Sequence, residues 1–163
     1  MKPANGSQPR RVHLRPVTES DLPALFEHQR DPEASAMAAF PPREHDAFMA
    51  HWAKIFATPS VVAVAVVVDE RVAGNIGSWT SDGQRFVGYW LGREYWGRGI
   101  ATEAMSLFLD RVTDRPLYAC LARHNVASRR VLEKCGFTHS AEETAALPAS
   151  EDGVEEVVFI LGG

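Results

Sequence analysis

Several things are scarce in this chain, and each scarcity closes a class of function. Cysteine occurs only at Cys120 and Cys135, without C-x-x-C or histidine at ligand spacing. That excludes a disulfide scaffold and a zinc-ribbon site, and with no neighbouring base legible both thiols read as reduced structural residues rather than nucleophiles. The longest apolar run, VVAVAVVV at 61–68, is far short of the roughly 20 residues a helix needs to span a bilayer, so it reads as a buried strand and no membrane partner is expected. Positive charge is not in excess. A formal net charge of -4 is a poor basis for gripping phosphate backbones, so nucleic acid is not expected either. The opening MKPANGSQPR lacks the apolar core of a signal peptide and reads as a polar tail over 1–10, which makes a cytoplasmic address the expectation. No repeat or linker interrupts 11–163, which reads as a single domain.

What is present is an orderly succession of strands and helices. VHLRPV alternates as a strand does, and TESDLPALFEHQ supplies a Thr18 cap, early acids and a Leu22, Leu25, Phe26 face for a first helix. RDPEASAMAAFPP is broken by prolines, so Arg30 to Pro42 is predicted to be a long connection. REHDAFMAHWAKIFA then sets Phe48, Trp52, Ile55 and Phe56 on one helical stripe. Val61 to Val68, Val72 to Trp79 and Phe86 to Leu91 are joined by the short turns DER and SDGQ, which forces an antiparallel meander. A helix from about Gly99 to Val112, the strand LYACL, a helix over NVASRRVLEKC closed by Gly136, and a β-rich end with EEVVFIL complete the order β-α-α-β-β-β-α-β-α-β-β. This is a mixed α/β (α+β) domain.

Between the meander and the next helix lies YWLGREYWGRGIATEA, a nearly bare backbone around one arginine. Amides at a helix start lack intrahelical partners and sit at the positive end of the dipole, so glycines there invite an anion. Gly92 and Gly97 have P-loop spacing, but Arg98 and Gly99 stand where its Lys and Ser/Thr would be. A dinucleotide fingerprint fails as well: its third glycine is Thr102, and LYACL runs into Ala122, Arg123 and His124 without an acid. A diphosphate held by amides at one helix N-terminus remains, and coenzyme A carries such a group. Gly97 and Gly99 are equally able to serve only as a tight strand-to-helix turn.

Two stretches, VGYWLGREYWGRGIATEA and, after a strand, NVASRRVLEKCGF, together resemble the GNAT superfamily of acetyl-CoA-dependent N-acetyltransferases, and in particular its branch of ribosomal-protein N-terminal alanine acetyltransferases. The resemblance runs from Val12 to Leu161 and implies a mostly antiparallel central sheet of about seven strands with helices on both faces. It also implies acetyl-CoA or coenzyme A as cosubstrate, with no metal, and an amine acceptor that is a protein N-terminus or a small molecule. The family's loop Q/R-x-x-G-x-G/A falls on Trp96, Gly97, Arg98, Gly99, Ile100 and Ala101, with Thr102 following; Trp96 departs from the pattern. The resemblance puts the strand backbone that pairs with the pantetheine arm at Leu91. Asn125 corresponds to the asparagine that bonds the arm, while also being a natural N-cap. The family's acid tyrosine falls on Leu132, and Ser128, one turn after Asn125, resembles the serine that serves instead in the nearest branch.

No base is assigned, since the strand 86–91 holds no carboxylate. Glu94 and Glu103 read as exposed, and His51 and His124 as structural. The acceptor is expected between the meander and the 30–42 connection, with Met37 and Phe40 along its wall. A coenzyme-binding regulatory domain without turnover also fits Trp96 and Leu132. Monomer and homodimer both remain open, the latter through pairing of the apolar final strand.

Overall fold

The computed structural model describes residues 11–148 and 153–162, so the tail expected over 1–10 lies outside the described residues. The strands are β1 (Val12–Pro16), β2 (Val62–Val68), β3 (Arg71–Ser81), β4 (Gln84–Leu91), β5 (Leu117–Ala122), β6 (Thr138–Ser140) and β7 (Glu156–Leu161). They form one seven-stranded sheet in the order β1-β2-β3-β4-β5-β7-β6. Every neighbouring pair is antiparallel except β4 and β5.

The valine run is explained by burial on both faces. Val64, Val66 and Val68 point into one core with Ile76, Met105, Phe108 and Phe159. Ala65 and Val67 face a second core with Leu22, Leu25, Phe48 and Trp52. Helices α4 (Ile100–Arg111) and α5 (Val126–Lys134) cover the first face, and α1 (Leu22–Arg30) and α3 (His45–Phe56) cover the second. A strand enclosed from both sides carries no polar alternation. The meander turns are equally local in origin. Asp82 and Gly83 both have positive φ (50° and 79°), as the two-residue hairpin turn of SDGQ requires.

Three expectations change. The prolines of 30–42 bracket a helix instead of breaking one: α2 (Pro32–Ala38) starts with Pro32 in its first turn, where no amide partner is lost, and Asp31 accepts from the Glu33 N–H at 3.0 Å. Phe56 is off the buried stripe at 44% exposure, leaving Phe48, Trp52 and the half-buried Ile55 on it. The final strand does not end the sheet. β7 lies between β5 and β6, so pairing through its edge is closed, and a short helix α6 (Ala141–Ala145) separates β6 from β7 in the chain.

Candidate functional site

The site begins where two strands part. β4 and β5 run parallel through only two register positions, Arg85 with Leu117 and Phe86 with Tyr118, and then diverge. Beyond that point β4 stays paired with β3 as far as Gly74 with Leu91. The Gly92 N–H is taken by Ala73 O at 2.8 Å and the Phe86 carbonyl by the Ser78 hydroxyl at 2.8 Å, both on the β3 side. Strand alternation therefore turns the peptide groups of Val87, Tyr89 and Leu91 toward the gap.

After β4 the chain makes one 3₁₀ turn, Arg93–Tyr95, and reaches the glycine loop. Trp96 donates from Nε1 to the Leu91 carbonyl at 3.0 Å, which folds the loop back on the strand end. Its departure from the family pattern thus has a structural use here. Gly97 and Gly99 hold φ of 73° and 75°, a left-handed backbone that other residues adopt at a cost. Gly99 caps α4 without any side-chain bond, and the first helical bond is Glu103 N–H to Gly99 O. The amides of Ile100, Ala101 and Thr102 precede it and so have no partner within the helix.

A cavity of about 360 Å³ opens in front of this loop, between α2, the end of β4, the start of α4 and α5. Of the residues singled out above, Leu91, Trp96, Gly97, Gly99, Ile100, Ala101, Thr102, Asn125 and Ser128 all line it. Ile100 is fully buried, its side chain packed in the core. Arg98 stands apart from the cavity, its guanidinium 5.9 Å from the Tyr95 ring centre. Asn125 is indeed the cap of α5: its Oδ1 accepts the Ser128 N–H at 3.2 Å, which holds Ser128 on the cavity wall. Leu132 is 3% exposed and packs in the core, and its hydrocarbon side chain has no proton to give as an acid.

Of the lining residues that sequence reasoning did not single out, three bear on the chemistry. Arg130 and Lys134, four apart on α5 and so on one face, bring two cations to the cavity. The basic spacing in SRRVLEK was the available signal. Tyr89 was the other omission, and nothing local advertised it. Burial raises its phenol above the usual tyrosine value, while hydrogen bonding with Ser128 pulls in the opposite direction. A second cavity, about 110 Å³, adjoins the first and shares Ala38, Tyr89, Asn125 and Ser128 with it.

The helix that replaced the expected connection forms one wall through Ala34, Met37 and Ala38. It is tied down on both sides of the gap. Arg93 reaches Asp31 from Nε and Glu33 from Nη1, each at 2.8 Å, and the His124 ring meets the Ala36 carbonyl at 3.1 Å. Phe40 does not line the cavity; it lies edge-on to Trp90, 6.3 Å between ring centres. Glu94 and Glu103 are exposed and outside both cavities, and the half-buried α3 residue His51 lies outside them too. Burial raises the Cys135 thiol, and partial burial with the nearby Glu156 pushes Cys120 up to about 11, so neither is a ready thiolate. Among the described residues no cluster of His, Cys, Asp or Glu is gathered as for a metal ion, and no helix is long and apolar enough to cross a membrane.

These features agree with what the chain resembles elsewhere. The sequence-family model described as the acetyltransferase (GNAT) domain matches residues 11–138. No curated protein sequence matches the chain. Among solved structures, a GNAT-family acetyltransferase from Bacillus anthracis superposes with a TM-score of 0.77 at 17% identity, covering 93% of this chain and 95% of that one. RimL, a ribosomal L7/L12 alpha-N-protein acetyltransferase in complex with coenzyme A, gives 0.76 at 18% identity over 91% and 92%. The acetyltransferase AAC(6')-Ib in complex with ribostamycin and coenzyme A gives 0.75 at 17% identity over 93% of each chain.

Proposed function

The chain belongs to the GNAT acetyltransferase family and is a transferase using acetyl-CoA, and from that premise we propose that it moves the acetyl group directly onto a primary amine, preferentially the α-amine of a protein or peptide N-terminus. One observation carries the preference. No Asp or Glu lines either cavity among the described residues. An α-amine titrates near 7.7–8.0 and a lysine amine near 10.4, so at neutral pH a useful share of the former is already uncharged while the latter needs a base. The apolar wall of Ala34, Met37 and Ala38 suits a small N-terminal residue, whereas a polycation would want facing carboxylates.

Acetyl-CoA supplies an acyl group activated as a thioester. In this reading the amides of Ile100 to Thr102 receive its diphosphate, with Arg130 and Lys134 adding charge. The backbone of Leu91 and Tyr89 pairs with the pantetheine arm along the gap. A peptide N–H of β4, pointed at the gap, stabilises the oxygen that gains charge as the amine adds. Ser128 and Tyr89 hold the proton that the departing sulfur takes. Burial favours the protonated phenol, which keeps it a donor across the working pH range.

The test pairs binding with turnover. Calorimetry with coenzyme A and acetyl-CoA is followed by thiol release against a peptide with a free α-amine and against its N-blocked, lysine-containing counterpart. The free N-terminus is expected to win by at least about 100-fold. Equal rates would sink the N-terminal preference, and tight binding without thiol release on any amine would leave a coenzyme-binding domain.

A further inference from the structure

We propose that the smaller cavity is an acyl pocket and that this protein accepts acyl groups longer than acetyl, up to roughly four carbons, from their coenzyme A thioesters; the proposal rests on the transferase reading above. The geometry is directional. Diphosphate contact at the start of α4 and pairing along β4 run the arm from Leu91 past Tyr89, so the thioester carbonyl arrives where Ala38, Tyr89, Asn125 and Ser128 line both cavities. Carbon attached to that carbonyl then continues into the 110 Å³ space.

Beyond the junction the wall carries the side chains of Val87, Met105, Ala119, Leu121 and Leu132, every one at most 7% exposed, and is completed by Gly88, Ala122 and the exposed Cys120. A single acetyl methyl would leave most of this volume without contacts. An apolar cavity of about 150 Å³ admits benzene, so a 110 Å³ space with these five apolar side chains on its wall suits a short alkyl chain. The chemistry is unchanged by chain length. The thioester C–S bond breaks, an amide C–N bond forms, the nitrogen loses one proton, and the sulfur gains one through Ser128 and Tyr89, giving an N-acyl product and the free thiol.

The experiment titrates the full chain with acetyl-, propionyl- and butyryl-CoA by calorimetry without acceptor, then measures thiol release from each with the same N-terminal peptide. Butyryl-CoA is expected to bind at least as tightly as acetyl-CoA and to retain kcat/KM within about tenfold. Ala119→Val, a strand-compatible filling of the pocket, is expected to lower the butyryl-to-acetyl ratio about tenfold or more in both affinity and kcat/KM. Val87→Ile should move the ratio the same way, which covers the case that the first variant folds poorly. Acetyl turnover together with propionyl and butyryl thioesters that bind more weakly and react over about 100-fold more slowly overturns the acyl pocket and leaves the acetyltransferase standing. Coenzyme A binding without turnover of any thioester overturns both.

Discussion

Tyr89 and Ser128 meet on the cavity wall although one sits on a strand and the other on a helix across the gap. If the pair handles the proton of the leaving thiol, Tyr89→Phe lowers kcat about 100-fold and leaves coenzyme A affinity within a fewfold of the parent. The pH profile carries a second signature. Rate rises with pH as the acceptor amine loses its proton, and because burial holds the phenol above its usual value near 10, no fall from Tyr89 is expected below about pH 10. Stopped-flow thiol release from pH 6 to 10.5 measures both limbs, and an unchanged kcat in Tyr89→Phe would remove the phenol from the chemistry. The glycines and Asn125 were legible because a left-handed φ and an N-cap are matters of a few adjacent residues. Tyr89 was not, since a tyrosine in a strand looks the same whether it faces a core or a substrate.

At the scale of elements, α2 is the wall most open to test. The double contact of Arg93 with Asp31 and Glu33 joins it to the turn that leads into the coenzyme loop. Arg93→Ala is expected to raise the KM for the peptide severalfold with little change in kcat or in coenzyme A affinity, since exposed ion pairs contribute only about 1 kcal/mol to stability. A kcat that collapses together with KM would mean that α2 does more than position the acceptor. The turn between β2 and β3 offers a separate check. Glu70 holds φ of 72° and Asp69 φ of 49°, both left-handed and neither glycine. Glu70→Gly should gain roughly 0.5–1 kcal/mol and raise the thermal midpoint by a few degrees. A lower midpoint would show that Glu70 makes contacts worth more than its backbone strain. The turn DER was legible, yet α2 was misread because proline was taken as a breaker where it serves as a first-turn residue.

For the whole molecule, one buried charge sets a pH limit on stability. Asp21, 3% exposed, receives Arg15 through both oxygens at 2.8 Å and the Thr18 N–H at 2.8 Å. The Arg15 hydrogen bonds, opposed by burial, hold its carboxyl below the usual range. Its contribution is therefore complete above the unfolded carboxylate value near 4 and is lost as pH falls through the lowered folded value. Asp21→Asn should cost about 1–2 kcal/mol at pH 7 and flatten the acid limb of the stability curve, measured by urea unfolding between pH 2 and 7. A parallel shift at all pH values would assign the loss to packing alone.

The sequence by itself determined the kinds and order of nearly all the elements, the glycine loop before a helix, the Asn125 cap and the resemblance to the acetyltransferase family. These depend on backbone dihedrals, alternation and capping within short windows. Only the tertiary structure decided that β4 and β5 pair at two positions and then separate, that Tyr89 meets Ser128 in the opening, that a second cavity adjoins them, and that β7 is an interior strand. The reason is that strand partners, and the place where pairing stops, are set by packing among residues far apart in the chain.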